Sequence, residues 1–261
     1  MAMYNNEIFD ILRYKELLRN LVMRDIKVRY KRSVLGFLWV MLNPLFMMLI
    51  LNMVFSEIFK VATKNYTSYL LSGIILWNFF SQSTSSALKS LLTNSNLIKK
   101  IYLPKAIFPL SVVMSAVVNF VFSLVPLFLI FYLTGTPMHG HIVMLPLVVI
   151  MAGLFCVGVS LILSTLTVFF HDTIYIYEVG LLAWMYMTPV FFPESIVPEK
   201  FRIIFQLNPM YYFISIFRGV LYMDVPFFYE KLLYAFLCSL VALSAGWFIY
   251  DRYKDRVVYH L

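Results

Sequence analysis

Hydrophobic positions in this chain gather into long blocks rather than the short periods of a soluble fold. Apolar runs occupy approximately residues 34–56, 68–92, 108–133, 142–170, 174–192 and 231–250. Most reach the ~20 residues a helix needs to cross ~30 Å of hydrocarbon. Backbone polar groups at that depth must be satisfied within the segment, so the pattern predicts six transmembrane helices and an all-α polytopic membrane protein. Two parts follow: residues 1–33 ahead of the first run, and a transmembrane domain over 34–261.

Between the runs the polar pattern changes character. Over residues 8–31, Arg13, Glu16, Asn20, Arg24, Lys27 and Lys31 recur at steps of three and four, which places them on one face of a helix. Ile8, Ile11, Leu12, Leu18, Val22 and Ile26 populate the other side, interrupted by Lys15 and Arg19, whose stems can snorkel. An amphipathic interface helix on the membrane surface is expected, either as a simple anchor or as a contact for a partner. Residues 94–104 form a short loop in which Asn94, Ser95 or Asn96 can cap a brief helix and Pro104 stops it. Leu97, Ile98 and Ile101 share a face of that helix, and they suit either a partner or the headgroup region.

The segment at about 193–222 is long and holds Pro193, Pro198 and Pro209, with apolar pieces at about 199–207 and 210–222. Each piece is too short to span alone. A re-entrant helical hairpin would satisfy its own backbone; a folded loop is the plainer alternative.

Composition agrees with the pattern. The 261 residues are 62% hydrophobic and 13% charged, against about 25% charged in soluble domains. The first 33 residues are charged, and no short apolar run ends in a small-residue cleavage site, so no secretory signal peptide is expected. The formal charge of +8 is carried by residues flanking the apolar runs, which points to lipid headgroups and orientation rather than nucleic acid. With the N-terminus inside, fifteen Lys and Arg fall on inside flanks. Six fall outside: Lys60, Lys64, Lys200, Arg202, Arg218 and Lys231. Both termini are therefore expected in the cytoplasm. Cys156 and Cys238 lie in apolar runs and suggest neither a disulfide framework nor a metal site.

Few residues offer chemistry. Glu178 is the clearest ionisable group within a run, on a helical face with Tyr175, Leu182, Met185, Tyr186 and Pro189. It fits a polar contact on a translocation path or a structural hydrogen bond. Trp77, Phe80, Ser81 and Thr84 share a face in the second run, where rings beside hydroxyls suit sugars but equally suit packing. Small residues four apart, such as Ser111/Ser115, Ser160/Ser164 and Ala242/Gly246, fit close helix packing. No Gly-rich loop ends in Gly-Lys-Ser/Thr; the nearest spacing, Gly153 to Gly158, is followed by Val159. His139 and His141 have no carboxylate beside them in sequence, and metal binding is not expected. Three classes remain: a transporter subunit energised by a separate ATPase, a secondary transporter, and a membrane-embedded enzyme. A secondary transporter would normally show internal repeats and coupling carboxylates. An enzyme would have little beyond His171 and Asp172.

The segment Val28-Arg-Tyr-Lys-Arg-Ser-Val-Leu-Gly-Phe-Leu-Trp-Val-Met-Leu-Asn-Pro44 resembles the N-terminal signature of type-2 ABC exporter permeases for polysaccharides. A second match covers His171-Asp172, Thr188-Pro-Val190, Pro198-Glu-Lys200, Asn208-Pro209 and Phe217-Arg218. His171 departs from the Arg that relatives commonly carry before the Asp. The O-antigen exporter permeases are the most similar branch, with teichoic acid and capsule exporter permeases as relatives.

The resemblance implies a bacterial inner-membrane protein in which two copies pair, each with a cytoplasmic ATPase subunit. ATP and Mg would be bound by that subunit, with no cofactor in this chain. The pair would form a channel for a polymer linked to undecaprenyl pyrophosphate. The interface helix and the loop residues Asn96, Leu97, Ile98, Lys99, Lys100, Ile101 and Tyr102 would contact the ATPase. Pro198, Asn208, Pro209, Phe217 and Arg218 would belong to an external gate. Channel candidates are Trp39, Trp77, Phe80, Tyr175, Glu178 and Tyr186. Arg29, Lys31 and Arg32 would be placed to attract the pyrophosphate or to anchor the chain by the positive-inside rule.

Overall fold

Helices form where the apolar runs lie, because only a helix satisfies its own amides and carbonyls within one segment. In the computed structural model, which describes residues 11–58, 65–138, 140–226 and 228–261, no strand occurs among the described residues. The Ile8 end of the expected N-terminal helix, Lys60, Lys64 and His139 lie outside them. The longer helices are α1 (Lys15–Tyr30), α2 (Trp39–Asn52) and α3 (Tyr66–Leu88). Two short helices follow, α4 (Ser90–Thr93) and α5 (Ser95–Lys100), then α6 (Ile107–Thr134) and α7 (Leu145–Phe169). The chain continues through α8 (Thr173–Tyr186), α9 (Arg202–Gln206), α10 (Pro209–Leu221) and α11 (Phe228–His260). A 3-10 turn at Gly36–Leu38 links α1 to α2, with Gly36 at φ +52°, a left-handed conformation that glycine adopts without penalty.

Among the described residues, four stretches are long and apolar enough to cross a membrane: Gly36–Phe55, Ile107–Thr134, His141–Phe169 and Phe228–His260. The last is longer than the run at 231–250, because Asp251–His260 continue the helix beyond the apolar part. The other two expected spans differ in kind. At 1.5 Å per residue α3 reaches about 34 Å, but serines, Asn78 and Gln82 dilute its apolarity. α8 has 14 residues, or about 21 Å, and falls short of the hydrocarbon thickness.

Burial separates these helices more sharply than hydropathy does. α3 is the centre of the bundle, enclosed by α2, α6, α7 and α10, with seventeen of its 23 residues buried. The hydroxyls it carries inward bond to its own backbone: Ser83 donates to the Phe79 carbonyl at 2.7 Å and Thr84 to Phe80 at 2.9 Å. This satisfies a polar side chain inside an apolar bundle without an external partner. α8 has no buried residue.

α7 and α11 form the most extensive helix pair. Gly158 and Gly246 meet there backbone to backbone, and a Cβ at Gly158 would overlap the Ala242 carbonyl. Small residues that let two helices touch are the expected device where hydrophobic burial alone cannot drive association. Ala242 and Gly246 do form such a contact, and Ser239 adds a hydrogen bond to the Met151 carbonyl at 2.9 Å.

A second apolar cluster closes one end of the bundle, where Leu21 of α1 packs with Leu91, Ile98, Ile107, Phe108, Val168 and Val257. Tyr250 of α11 is buried with Ala106 and Leu161, and its hydroxyl accepts from the Ala106 amide at 2.9 Å. The opposite end is closed by α10, whose Phe213, Ile214, Ile216, Phe217, Val220 and Leu221 are fully buried.

Candidate functional sites

At the α1 end, the loop over 94–104 is tied directly to the N-terminal helix. Asn94 donates from Nδ2 to the Ser90 carbonyl at 2.7 Å, and its Oδ1 accepts from Arg24 Nη1 at 2.9 Å. Arg24 also pairs with Asp25 at 2.9 Å. Asn94 therefore locks the loop to α1 instead of capping α5, which has no side-chain cap and ends when Ile101 turns extended. The three apolar loop residues part company. Ile98 is buried in the second cluster and Leu97 packs on it, while Ile101 and Tyr102 project outward beside exposed Asn96, Lys99 and Lys100. Arg13 ahead of α1 and Glu16, Asn20, Arg24 and Lys27 along it are all exposed, and Leu17, Leu18 and Leu21 face the cluster.

The opposite end is a knot of hydrogen bonds built by residues scattered through the sequence. Arg218, on α10, is 4% exposed. Its guanidinium donates to the carbonyls of Pro189 at 2.8 Å, Val190 at 3.0 Å and Tyr69 at 3.0 Å, and to Ser72 Oγ at 3.4 Å. It also lies 3.5 Å from the centre of the Tyr69 ring, a cation–π contact. Gly73 makes room for it: a Cβ there would stand 2.6 Å from Arg218 Nη2 and 2.8 Å from the Val190 oxygen. A planar fork of five donors can collect several carbonyls at once, which an ammonium cannot.

Asn208 ties the same turn from below. Its Oδ1 accepts from Trp184 Nε1 at 2.7 Å and from the Met210 amide at 3.0 Å, capping α10 ahead of Pro209. Its Nδ2 donates to the Met187 carbonyl at 2.9 Å and to Thr188 Oγ1 at 2.8 Å. Tyr69 and Tyr66, at the start of α3, donate to the carbonyls of Phe192 and Phe191 at 2.7 and 2.6 Å. Thus Thr188-Pro-Val190, Asn208-Pro209 and Phe217-Arg218 converge in space. Phe217 is buried beneath the knot against Phe120. Nearer the surface, Tyr211 donates to Glu194 at 3.0 Å, and Lys231 lies 3.7 Å from Glu194 and donates to Ser215 at 3.0 Å. Burial first and Glu194 second push the Tyr211 phenol above its ordinary range, which keeps it the donor. Pro198 sits apart, at the start of the 3-10 turn Glu199–Phe201.

The third feature is a cleft of about 380 Å³ between α2, α3 and α6. Its walls carry Asn43, Asn78, Ser81, Gln82, Asn119 and Ser123, together with the rings of Tyr30, Trp39, Phe79 and Phe120, and Arg29 is its only charged residue among the described residues. Asn119 donates to Gln82 Oε1 at 2.9 Å, and Ser123 donates to the Val40 carbonyl at 3.2 Å. Burial raises the Tyr30 phenol, and neighbouring Arg29 opposes the shift. Of the three basic residues singled out for a pyrophosphate, Arg29 lines this cleft; Lys31 and Arg32 are exposed beyond the end of α1 and do not.

The channel candidates also divide. Trp77 and Phe80 are buried in the chain's own core, where Phe80 packs 5.0 Å from Trp184 and 5.8 Å from Phe155. Tyr175, Glu178 and Tyr186 lie on the exposed side of α8, and Trp39 is exposed at the rim of the cleft. Sequence reasoning passed over Tyr66, Tyr69, Gly73, Trp184, Gln82 and Asn119. The lone amide of Asn119 in an otherwise apolar run was the available signal, since such a group needs a partner.

These features define an all-helical, membrane-spanning protein with polar sites inside its bundle and no group of three or more metal-ligating side chains among the described residues. The chain belongs to the ABC-2 type transporter family, whose model matches residues 16–222. It is 32% identical over 242 residues to an O-antigen export system permease protein RfbA of Klebsiella pneumoniae, covering 92% of this chain and 93% of the relative. A protein of the same name from Myxococcus xanthus is 30% identical over 250 residues, covering 95% and 96%. The capsule polysaccharide export inner-membrane protein CtrC of Neisseria meningitidis serogroup A is 23% identical over 251 residues, covering 95% and 94%.

Proposed function

We propose that this chain is the membrane-spanning permease subunit of an ATP-driven exporter that carries O-antigen-type polysaccharide, linked to undecaprenyl pyrophosphate, outward across a bacterial inner membrane. The observation that carries this reading is 32% and 30% identity to two O-antigen export permeases over more than nine-tenths of the chain. Six segments cross the bilayer, the fifth being α8 together with the turn residues that follow it, and both termini lie in the cytoplasm. Two copies pair, each with a cytoplasmic ATPase subunit that binds ATP and Mg.

The division of the molecule supports roles for its two ends. Ile101 and Tyr102 present an apolar tip where an ATPase subunit docks, and the Arg24–Asn94 bond carries its movement into α1. The knot around Arg218 and Asn208 holds the hairpin that gates the outer end. The exposed side of α8, with Tyr175, Glu178 and Tyr186, faces the second copy and the polymer path. Trp77 and Phe80 brace that path from inside the core.

The test is rescue of a strain lacking its own O-antigen permease by this chain expressed with its partner ATPase, read as polymer at the cell surface. Surface polymer is the expected result. A membrane-inserted, assembled pair that leaves the polymer inside the cell overturns the reading. The 23% identity to a capsule export protein supports a second reading, and rescue of a capsule-export mutant in place of the O-antigen mutant would favour it.

A further inference from the structure

Another cleft, of about 510 Å³, lies at the α1 end between the loop over 94–104 and the tail of α11. The tail clamps the loop. Lys105 Nζ donates to the Lys254 carbonyl at 2.8 Å, and the Ala106 amide donates to the Tyr250 hydroxyl at 2.9 Å. Ile98 of the loop and Val257 of the tail are buried in the same cluster. Loop and tail are therefore one body, and the cleft is shaped before any partner arrives. Its lips are apolar and open: Ile101 is 53% exposed on one side and Tyr259 is 87% exposed on the other.

Position decides what covers those lips. The apolar run of α11 ends near Tyr250, and the helix continues through Asp251–His260. Tyr259 stands nine residues past Tyr250, about 13 Å along the axis, and still about 10 Å deeper at a tilt of about 40°. The headgroup layer on each side of the hydrocarbon is only about 5–8 Å thick. Lipid ends short of this ring, so a protein must cover it. Charge then says what kind. Lys99, Lys100 and Lys105 line the cleft, against Asp255 as the one carboxylate there among the described residues. A positive cleft with apolar lips fits an apolar side chain flanked by carboxylates. We propose that the tail of α11 is the second half of the surface on which the partner ATPase docks, with Val258 and Tyr259 closing on a segment that the loop alone leaves half exposed. This rests on the proposed function, which puts that subunit at Ile101 and Tyr102. It adds a determinant about 150 residues away in sequence, brought to the loop by the Lys105 and Ala106 bonds.

The test titrates the full-length permease, in phosphatidylcholine nanodiscs, with its purified partner ATPase and reads the dissociation constant. Tyr259→Asp should weaken binding about tenfold or more, the scale of an aromatic anchor at an interface. Tyr259→Phe should bind like the wild type. Arg252→Asp, on the same tail but outside the cleft, should change binding little. Lys99→Glu with Lys100→Glu should weaken binding and flatten its dependence on salt. A fluorophore attached to Tyr259→Cys, in a Cys238→Ser background, should shift to the blue when saturating ATPase is added.

Wild-type affinity in Tyr259→Asp overturns the inference, and it does so alone if Ile101→Asp with Tyr102→Asp still loses the partner. Should Tyr259→Asp melt below the wild type, Tyr259→Ser removes the ring without adding a charge, and wild-type affinity there is equally fatal. A blue shift on adding phosphatidylglycerol without ATPase assigns the cleft to lipid headgroups and also overturns the inference. Failure of the wild type to bind any ATPase would sink the proposed function, and this inference with it.

Discussion

α3 and α8 invert the simplest expectation for a membrane protein. α3 carries Ser72, Ser83, Thr84 and Gln82 yet is mostly buried, whereas α8 is largely apolar and has no buried residue. The difference is instructive because hydrocarbon and protein interior are equally apolar: an apolar side chain gains little by moving from one to the other. What drives a helix inward is the cost of leaving polar groups in hydrocarbon, and beyond the hydroxyls that bond their own backbone, α3's Gln82 accepts from Asn119 and its Ser68 shares a hydrogen bond with Thr136. α8 keeps only a few inward ties, among them Tyr177 donating to Thr84 at 2.6 Å and Trp184 donating to Asn208. Its outer face is left for lipid, a second copy or a passing chain.

The largest effect on that contrast should come from Arg218→Met. It removes a charged donor from the Pro189, Val190 and Tyr69 carbonyls. Pro189 keeps the Tyr69 hydroxyl and Tyr69 keeps the Ser72 hydroxyl, while the Val190 carbonyl loses the guanidinium, a loss of about 1–3 kcal/mol. The detergent-purified variant should unfold at markedly lower temperature, and Arg218→Lys should recover little of the loss. Melting at the wild-type temperature would show that the knot does not hold α3 to the hairpin. Gly73→Val drives a side chain against the same guanidinium and the Val190 oxygen. Its expected cost is somewhat smaller, about 1–3 kcal/mol of overpacking, read in the same melting experiment.

Tyr177→Phe removes one hydrogen bond between α8 and α3, worth about 0.5–1.5 kcal/mol. A small drop in melting temperature is expected, with export retained. Least visible in stability should be changes on exposed positions, typically within about 0.5 kcal/mol. Glu178→Gln should melt like the wild type but reduce export; full export would return Glu178 to the role of a solvated side chain. Ile101→Asp with Tyr102→Asp should likewise leave melting unchanged while lowering ATPase co-purification. Retained co-purification would move the docking surface elsewhere.

How far the sequence foretold this depends on whether the relevant partner was local. The helix of α1 was legible because its periodicity is local; every residue named on its polar stripe within the described helix is exposed, but so are Leu12, Met23 and Val28. The breaks around 199–207 and 210–222 reappear as α9 and α10 because Pro198 and Pro209 mark them. Arg218, by contrast, counts among flanking charges in any tally of Lys and Arg, yet it is buried because three distant carbonyls receive it. No residue pattern announces a backbone carbonyl. The same limit hid Ile98, which shares its helical face with Ile101 but turns into the cluster beneath α1. Trp77 and Phe80 were candidates for sugar contact by residue type, and their burial came from tertiary packing that type alone does not encode. Of the hydroxyls singled out on α3, Thr84 is buried, whereas Ser81 lines the cleft.

The central claim, that this chain is an export permease energised by a separate subunit, is most directly tested with inverted membrane vesicles loaded with labelled undecaprenyl-pyrophosphate-linked polysaccharide. Vesicles holding this chain and its partner ATPase should move the label to the protected lumen only when ATP is supplied, and vesicles holding either subunit alone should not. Protected label without the ATPase, or none with both subunits assembled and ATP hydrolysed, would contradict the account.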